Sequence, residues 1–126
     1  MSGELILIIE DNKTNMKLVR DVLQFKGYRI LEASTAEDGL ELARGHKPDL
    51  ILMDIQLPGM DGVNALRQLK TDPSTASLKV VALTAFVMRE EQERIRVAGF
   101  DGFLSKPLDI PKFSEQVRLL LDSPKD

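Results

Sequence analysis

The sequence predicts an α/β domain built on a doubly wound parallel sheet of five strands. Three observations carry that expectation. Short apolar runs rich in β-branched residues recur along the chain, each too short to be a helix. Stretches with one apolar helical face fall between them. The alternation repeats five times in 126 residues, about 25 residues per β–α unit, the rhythm of a parallel sheet with helices on both faces.

Leu5-Ile6-Leu7-Ile8-Ile9 reads as a buried first strand. Met16, Val19, Val22 and Leu23 mark one face of the helix that follows, and Gly27 stops it in a turn. The second strand, Arg29–Ala33, carries Arg29 and Glu32 around Ile30 and Leu31, a polarity that suits an edge. Ser34-Thr35-Ala36-Glu37 has the pattern of a capping box with serine as the cap, opening a helix with Ala36, Leu40 and Ala43 inward. After the Lys47-Pro48-Asp49 loop, Leu50–Met53 is an apolar third strand that stops at Asp54.

A Pro58-Gly59 turn and Gly62 precede a third helix with Ala65, Leu66 and Leu69 inward, ended by Asp72-Pro73. Val80–Leu83 is the fourth strand, halted at Thr84. Arg89–Ala98 is a thin helix with Met88, Ile95 and Ala98 as apolar contacts, and Glu90 can pair with Arg94 one turn on. Gly102–Ser105 is the fifth strand, and Asp109 caps a last helix with Phe113, Val117, Leu120 and Leu121 on one face. For this size the expected arrangement is flavodoxin-like, strand order 2-1-3-4-5, with the switch point between strands 1 and 3. That order puts the polar second strand at an edge.

Composition excludes several chemistries. There is no cysteine, so no thiol nucleophile and no Cys-ligated metal; the single histidine, His46, cannot build a two-histidine zinc site. It sits in Gly45-His46-Lys47-Pro48, away from the acidic strand ends, and reads as a surface or helix-end residue. Seventeen Lys+Arg against 20 Asp+Glu give a net charge of −3 with no basic block, which argues against a nucleic-acid partner. The longest apolar run is five residues, and the N-terminus has no signal pattern, so neither a membrane span nor secretion is expected and the default compartment is the cytoplasm.

Four of the five strands end in a reactive polar residue: Glu10-Asp11, Asp54, Thr84 and Ser105-Lys106. In a parallel sheet these ends share one edge, where open α/β folds bind ligands. With strands 1 and 3 adjacent, Glu10, Asp11 and Asp54 converge, and Thr84 and Lys106 lie alongside. Two carboxylates about 5 Å apart repel by roughly 3 kcal/mol at an effective dielectric of about 20. Three carboxylates and one lysine leave a net −2, which a divalent cation balances. All-oxygen ligands indicate a hard ion, Mg²⁺ first and Mn²⁺ or Ca²⁺ after. Such a site has the parts of a phosphoryl acceptor: a carboxylate nucleophile, a cation, a lysine and a hydroxyl donor.

These residues also resemble the receiver domains of two-component response regulators. The match runs from Leu5 to about Leu121 and rests on Glu10-Asp11, Met53-Asp54 with Leu57-Pro58-Gly59-Met60-Asp61-Gly62, Thr84-Ala85, and Lys106-Pro107. Glu10-Asp11-Asn12, Asn15 to Leu18, Lys47 to Pro58 and Thr84-Ala85-Phe86 look like the stand-alone receivers of the DivK type. The resemblance implies that Asp54 takes a phosphoryl group from a phosphohistidine on a sensor histidine kinase or phosphotransfer protein. It implies Mg²⁺ on Asp11, Asp54 and the Gln56 backbone carbonyl, with Glu10 through water. Lys106 would pair with Asp54, Thr84 and the Ala85 N–H would donate to the phosphoryl group, and the Lys106–Pro107 bond would be cis. The chain would not be an enzyme acting on an outside substrate; it would assist its own phosphorylation and dephosphorylation.

The readout implied by the resemblance involves the helix Arg89–Ala98 and Phe103, whose ring would swing inward as Thr84 moves. Phe103 has no hydroxyl, so a switch there rests on packing. A downstream protein would then read the Arg89–Phe103 face. Phe86, beside the phosphoryl group in the family, is bulky enough to hinder the hydrolytic water and lengthen the life of the phosphoryl state. Rival readings fare worse. An FMN site needs a neutral phosphate cradle after strand 1, where Glu10-Asp11 stands. A haloacid-dehalogenase-type phosphatase needs an acid two residues after its nucleophile, and Gln56 stands there. No P-loop pattern occurs. At 126 residues the expectation is one receiver and no output domain, signalling by protein contact; the alternatives are a receiver cut from a larger protein such as a hybrid histidine kinase, or a docking-only receiver.

Overall fold

The computed structural model describes residues 3–55, 62–85, 89–106 and 109–123. Gln56, Phe86, Met88, the Pro58-Gly59 turn and Pro107 lie outside the described residues. The elements in order are β1 (Leu5–Ile9), α1 (Lys13–Phe25), β2 (Arg29–Ala33), α2 (Ala36–His46), β3 (Leu50–Asp54), α3 (Gly62–Thr71), β4 (Val80–Thr84), α4 (Arg89–Ala98), β5 (Gly102–Ser105) and α5 (Ile110–Asp122). All strand pairs are parallel and the order is β2-β1-β3-β4-β5, as the sequence predicts.

Alternation along the strands feeds two cores. Leu7, Ile9, Ile51, Met53, Val80 and Ala82 face one side and pack with Leu40, Ala65, Leu66 and Ile95, from α2, α3 and α4. Ile6, Ile8, Leu50, Leu52, Val81, Leu83 and Leu104 face the other side and pack with Met16, Val19, Leu23, Phe113 and Val117, from α1 and α5. The middle of a strand covered on both faces has little place for a polar residue, which is why β1, β3 and β4 read as apolar runs, the last two up to the buried Asp54 and Thr84 that end them. β2, at the edge, exposes Arg29 and Glu32. Gly39 lets α2 approach β1 closely, since a Cβ there would come within 2.4 Å of the Ile9 Cδ1.

Three local expectations are corrected. The cap of α2 is Thr35, not Ser34: Thr35 Oγ1 accepts from the Asp38 N–H at 3.1 Å, so the helix starts one residue later than the capping-box reading places it. On α4, Arg94 pairs with Glu91 at 3.2 Å and not with Glu90; residues three apart are as close on a helix as residues four apart. Asp109 occupies the N-cap of α5 without a side-chain capping bond. His46 is exposed at the last position of α2, away from the acidic strand ends, as expected. Lys47 follows it in the left-handed region at φ 50° and closes the helix through its N–H to the Ala43 carbonyl.

One ion pair ties the start of the chain to its last helix. Arg118 Nη2 on α5 donates to Glu4 Oε2 at 2.7 Å, and the same nitrogen reaches Asp122. The Arg118 hydrogen bond holds the Glu4 carboxyl below its ordinary value. A carboxyl depressed by folding adds stability above its unfolded pKa and loses it as pH falls through the lower folded value. Glu4→Gln should therefore lower the urea midpoint near neutral pH and cost progressively less as pH falls through the lowered Glu4 pKa; a loss that does not shrink with falling pH would contradict this.

Candidate functional site

Register explains why the polar strand ends meet. Ile9 pairs with Met53, so the next residues, Glu10 and Asp54, stand side by side where β1 and β3 end. Asp54 pairs with Leu83, and Thr84 with Ser105, which sets Ala85 beside Lys106. The ladder continues past the strand ends through Glu10 N–H to the Ala33 carbonyl at 3.0 Å and Lys106 N–H to the Thr84 carbonyl at 2.8 Å. Counting by twos from Ile8, Leu52, Leu83 and Leu104 puts Glu10, Asp54, Ala85 and Lys106 on the face that α1 and α5 cover. Ala85, between Asp54 and Lys106, has only a methyl group, which leaves the long lysine stem room to cross β4.

It does cross. Lys106 Nζ donates to Asp54 Oδ2 at 2.9 Å and lies 2.9 Å from Glu10 Oε1. Glu10 and Asp54 are buried, whereas Asp11 is exposed. Burial pushes the Glu10 carboxyl above its ordinary value; Lys106 and the Asn12 N–H pull it back, and Asp54 adds to the rise. Burial also acts to lower the Lys106 pKa, but its bonds to Asp54 and Glu10 outweigh that and raise it. The raised lysine keeps its charge beside the acids, while burial works against the charge on Glu10.

The turn after β1 aims the acids. Asn12 caps α1, its Oδ1 accepting from the Asn15 N–H at 2.9 Å, while its own N–H donates to Glu10 Oε2 at 3.1 Å. That bond folds Glu10 inward and leaves Asp11 facing outward. Ligand oxygens of Glu10, Asp11 and Asp54 all lie within 4.8 Å of one another. Three carboxylates gathered this closely make a hard all-oxygen donor set that suits a divalent cation such as Mg²⁺.

Thr84 is buried at the end of β4 on the opposite face, shared by Val80 and Ala82. Phe103 pairs with Ala82 and packs half-buried against that same core. Thr84 and Phe103 are thus diagonal neighbours on one face of adjacent strands. Phe103 lines a groove of about 440 Å³ with Arg89, Gln92, Ile95 and Phe100 along α4 and β5. The expected site residues Glu10, Asp11, Asp54, Thr84, Ala85 and Lys106 all come to one sheet edge. Gln56, Phe86 and Pro107, predicted as a carbonyl ligand, a neighbour of the phosphoryl group and a cis proline, lie outside the described residues. Nothing in the sequence announces the ion pair of Glu10 with Lys106 except the longer side chain at position 10.

Residues 6–118 match the model of the response regulator receiver domain. The chain belongs to this family. It is 43% identical to the polar-differentiation response regulator DivK of Brucella anthropi over 116 residues, 92% of this chain and 94% of the relative. The resemblance to receivers of the DivK type is thereby borne out. Among solved structures it is similar to the receiver domain of the sensor histidine kinase PA1611 from Pseudomonas aeruginosa, with a TM-score of 0.87 and 28% identity, covering 96% of this chain and 99% of that one. That crystal structure holds a magnesium ion coordinated in its active-site cleft. A CheY-like receiver domain protein from Methanospirillum hungatei gives a TM-score of 0.85 at 28% identity, covering 95% of this chain and 94% of that one. As a receiver of two-component signalling, the chain carries its acidic triad and lysine at the carboxyl edge of the sheet. No helix among the described residues is long and apolar enough to cross a membrane.

Proposed function

We propose that this receiver is a stand-alone relay protein that accepts a phosphoryl group on Asp54 from a phosphohistidine of a sensor histidine kinase or phosphotransfer protein. The observation that carries the reading is Lys106 Nζ at 2.9 Å from Asp54 Oδ2, beside a cluster of three carboxylates. An Asp54 oxygen attacks phosphorus; the P–N bond breaks, and its electron pair returns to the imidazole nitrogen, which takes up a proton. Lys106 shifts from the carboxylate to the phosphoryl oxygens, and the Thr84 hydroxyl and Ala85 N–H donate to the same group. Asp11 and Asp54, with the Gln56 carbonyl and Glu10 through water, would hold Mg²⁺, which when bound offsets the charge of the phosphoryl oxygens. The magnesium in the cleft of the similar PA1611 receiver supports that assignment. Mn²⁺ fits the same oxygen donors.

The protein consumes no outside substrate beyond the phosphoryl donor, and it promotes its own loss of the group by the same residues. Its place is the cytoplasm, where kinases and phosphotransfer proteins present their histidines. Phosphorylation adds charge and acceptor oxygens at Asp54, which draw Thr84 and Lys106 toward them. Withdrawal of Thr84 opens space on the face it shares with Phe103, and the ring follows, reshaping the Arg89–Phe103 groove that a downstream protein reads. Thr84→Ala should still take up phosphate but lose the gain in target affinity that phosphorylation brings; unchanged phospho-dependent affinity in that variant would remove the switch. The reading itself is tested with acetyl phosphate, or BeF₃⁻, and Mg²⁺. Wild type should show amide shifts around Asp54, Thr84 and Phe103 that Asp54→Asn abolishes. No response in wild type would favour a docking-only receiver.

A further inference from the structure

We infer that Glu10 is the positioning residue for Lys106, holding its ammonium in place before phosphoryl transfer and keeping it there once the Asp54 carboxylate has been consumed. The inference rests on Asp54 being the phosphoacceptor. It departs from an assignment of Glu10 to the metal alone.

Both oxygens of Glu10 are committed to the protein. Oε2 accepts from the Asn12 N–H at 3.1 Å, and Oε1 lies 2.9 Å from Lys106 Nζ. The carboxylate is therefore fixed between the first turn of α1 and the lysine, and Glu10 is only 2% exposed. Asp11, by contrast, is exposed and stands free to meet a cation from solvent. Lys106 makes ion pairs with Glu10 and Asp54 alone among the described residues. When an Asp54 oxygen bonds to phosphorus and the P–N bond of the donor breaks, that carboxylate ceases to exist as such. Glu10 then remains as the anionic anchor about which the ammonium can turn toward the phosphoryl oxygens.

Reach explains why a glutamate serves here. β1 and β5 are three strand spacings apart in the sheet, about 14 Å, and only two long side chains can meet across that gap. An aspartate at position 10 is shorter by one C–C bond, about 1.5 Å. If the lost bond lies along the line of contact, it widens the 2.9 Å separation from Lys106 to about 4.4 Å, beyond ion-pair range. The carboxylate would still stand beside Asp11 and Asp54. Glu10→Asp therefore separates the two roles: it keeps a charge at the metal cluster and withdraws it from the lysine.

The test uses the full chain, acetyl phosphate as donor at saturating Mg²⁺, and calorimetric Mg²⁺ titration of the unphosphorylated protein. Glu10→Asp and Glu10→Gln should each slow phosphoryl uptake about tenfold, and Glu10→Asp should leave the Mg²⁺ dissociation constant within about threefold of wild type. In a Lys106→Ala background the same Glu10 substitutions should change the slow residual uptake by less than about twofold, because the group they act through is gone. Equal fold-losses in both backgrounds would overturn the positioning role while leaving Asp54 as phosphoacceptor. So would a Glu10→Asp protein with wild-type uptake. A wild-type chain that takes up no phosphoryl group would overturn the phosphoacceptor reading, and this inference with it.

Discussion

Lys106→Ala is expected to slow phosphoryl transfer to Asp54 by about 10²–10³-fold, the usual cost of losing one preorganised donor to a developing oxyanion. The residue touches the nucleophile directly, at 2.9 Å, and its side chain is only about one-fifth exposed. The substitution should act on stability as well. Burial already raises the Glu10 carboxyl, and the lysine is the first group that pulls it back. Without Lys106 the rise is larger, so the folded state holds its proton to higher pH than the unfolded chain does. A carboxyl raised by folding gives stability at low pH that is lost as pH rises through the folded pKa. The variant should therefore fall furthest below wild type near neutral pH and approach it in mild acid. Transfer assays and urea melts at several pH values check both halves; a wild-type transfer rate would remove Lys106 from the mechanism.

Phe113→Ala should be the most costly single truncation of the α5 packing. Phe113 is fully buried on the first turn of α5, among Leu83, Leu104 and Val117 of the α1–α5 core. Removing a buried ring costs about 3–5 kcal/mol through lost transfer energy and the cavity left behind. Against a total of about 5–15 kcal/mol for a domain, that is a large fraction. The denaturation midpoint should drop with little change in slope, and phosphoryl uptake per folded molecule should hold, since Phe113 belongs to the apolar α1–α5 core and not to the acidic cluster. A loss below about 1 kcal/mol would mean that the helix repacks around the gap.

The sheet was legible because its chemistry leaves few options. A strand covered on both faces must be apolar along its middle, so Leu5–Ile9 and Leu50–Met53 announce themselves, and the charged Arg29–Ala33 can only be an edge. Once the order is fixed, Glu10, Asp54, Thr84 and Lys106 must share one edge. What stayed hidden depends on one residue or one rotamer. Ser34 and Thr35 are both good caps, and only the backbone entering α2 selects Thr35. Arg94 can reach Glu90 or Glu91, and the choice falls to Glu91. Likewise the bridge from Glu10 to Lys106 needs the Asn12 N–H to fold Glu10 inward, and no spacing in the sequence encodes that bond.

The relay role requires a carboxylate oxygen of Asp54 to receive the phosphorus. The direct measurement is mass spectrometry of the intact chain after exposure to a phosphohistidine donor and Mg²⁺, with the label trapped by borohydride and located by peptide fragmentation. Reduction of an acyl phosphate turns the modified aspartate into homoserine, which marks the site. Homoserine is expected at position 54 alone, and none in Asp54→Asn. A reduced acyl phosphate at Glu10 or Asp11, or no label in wild type, would contradict it.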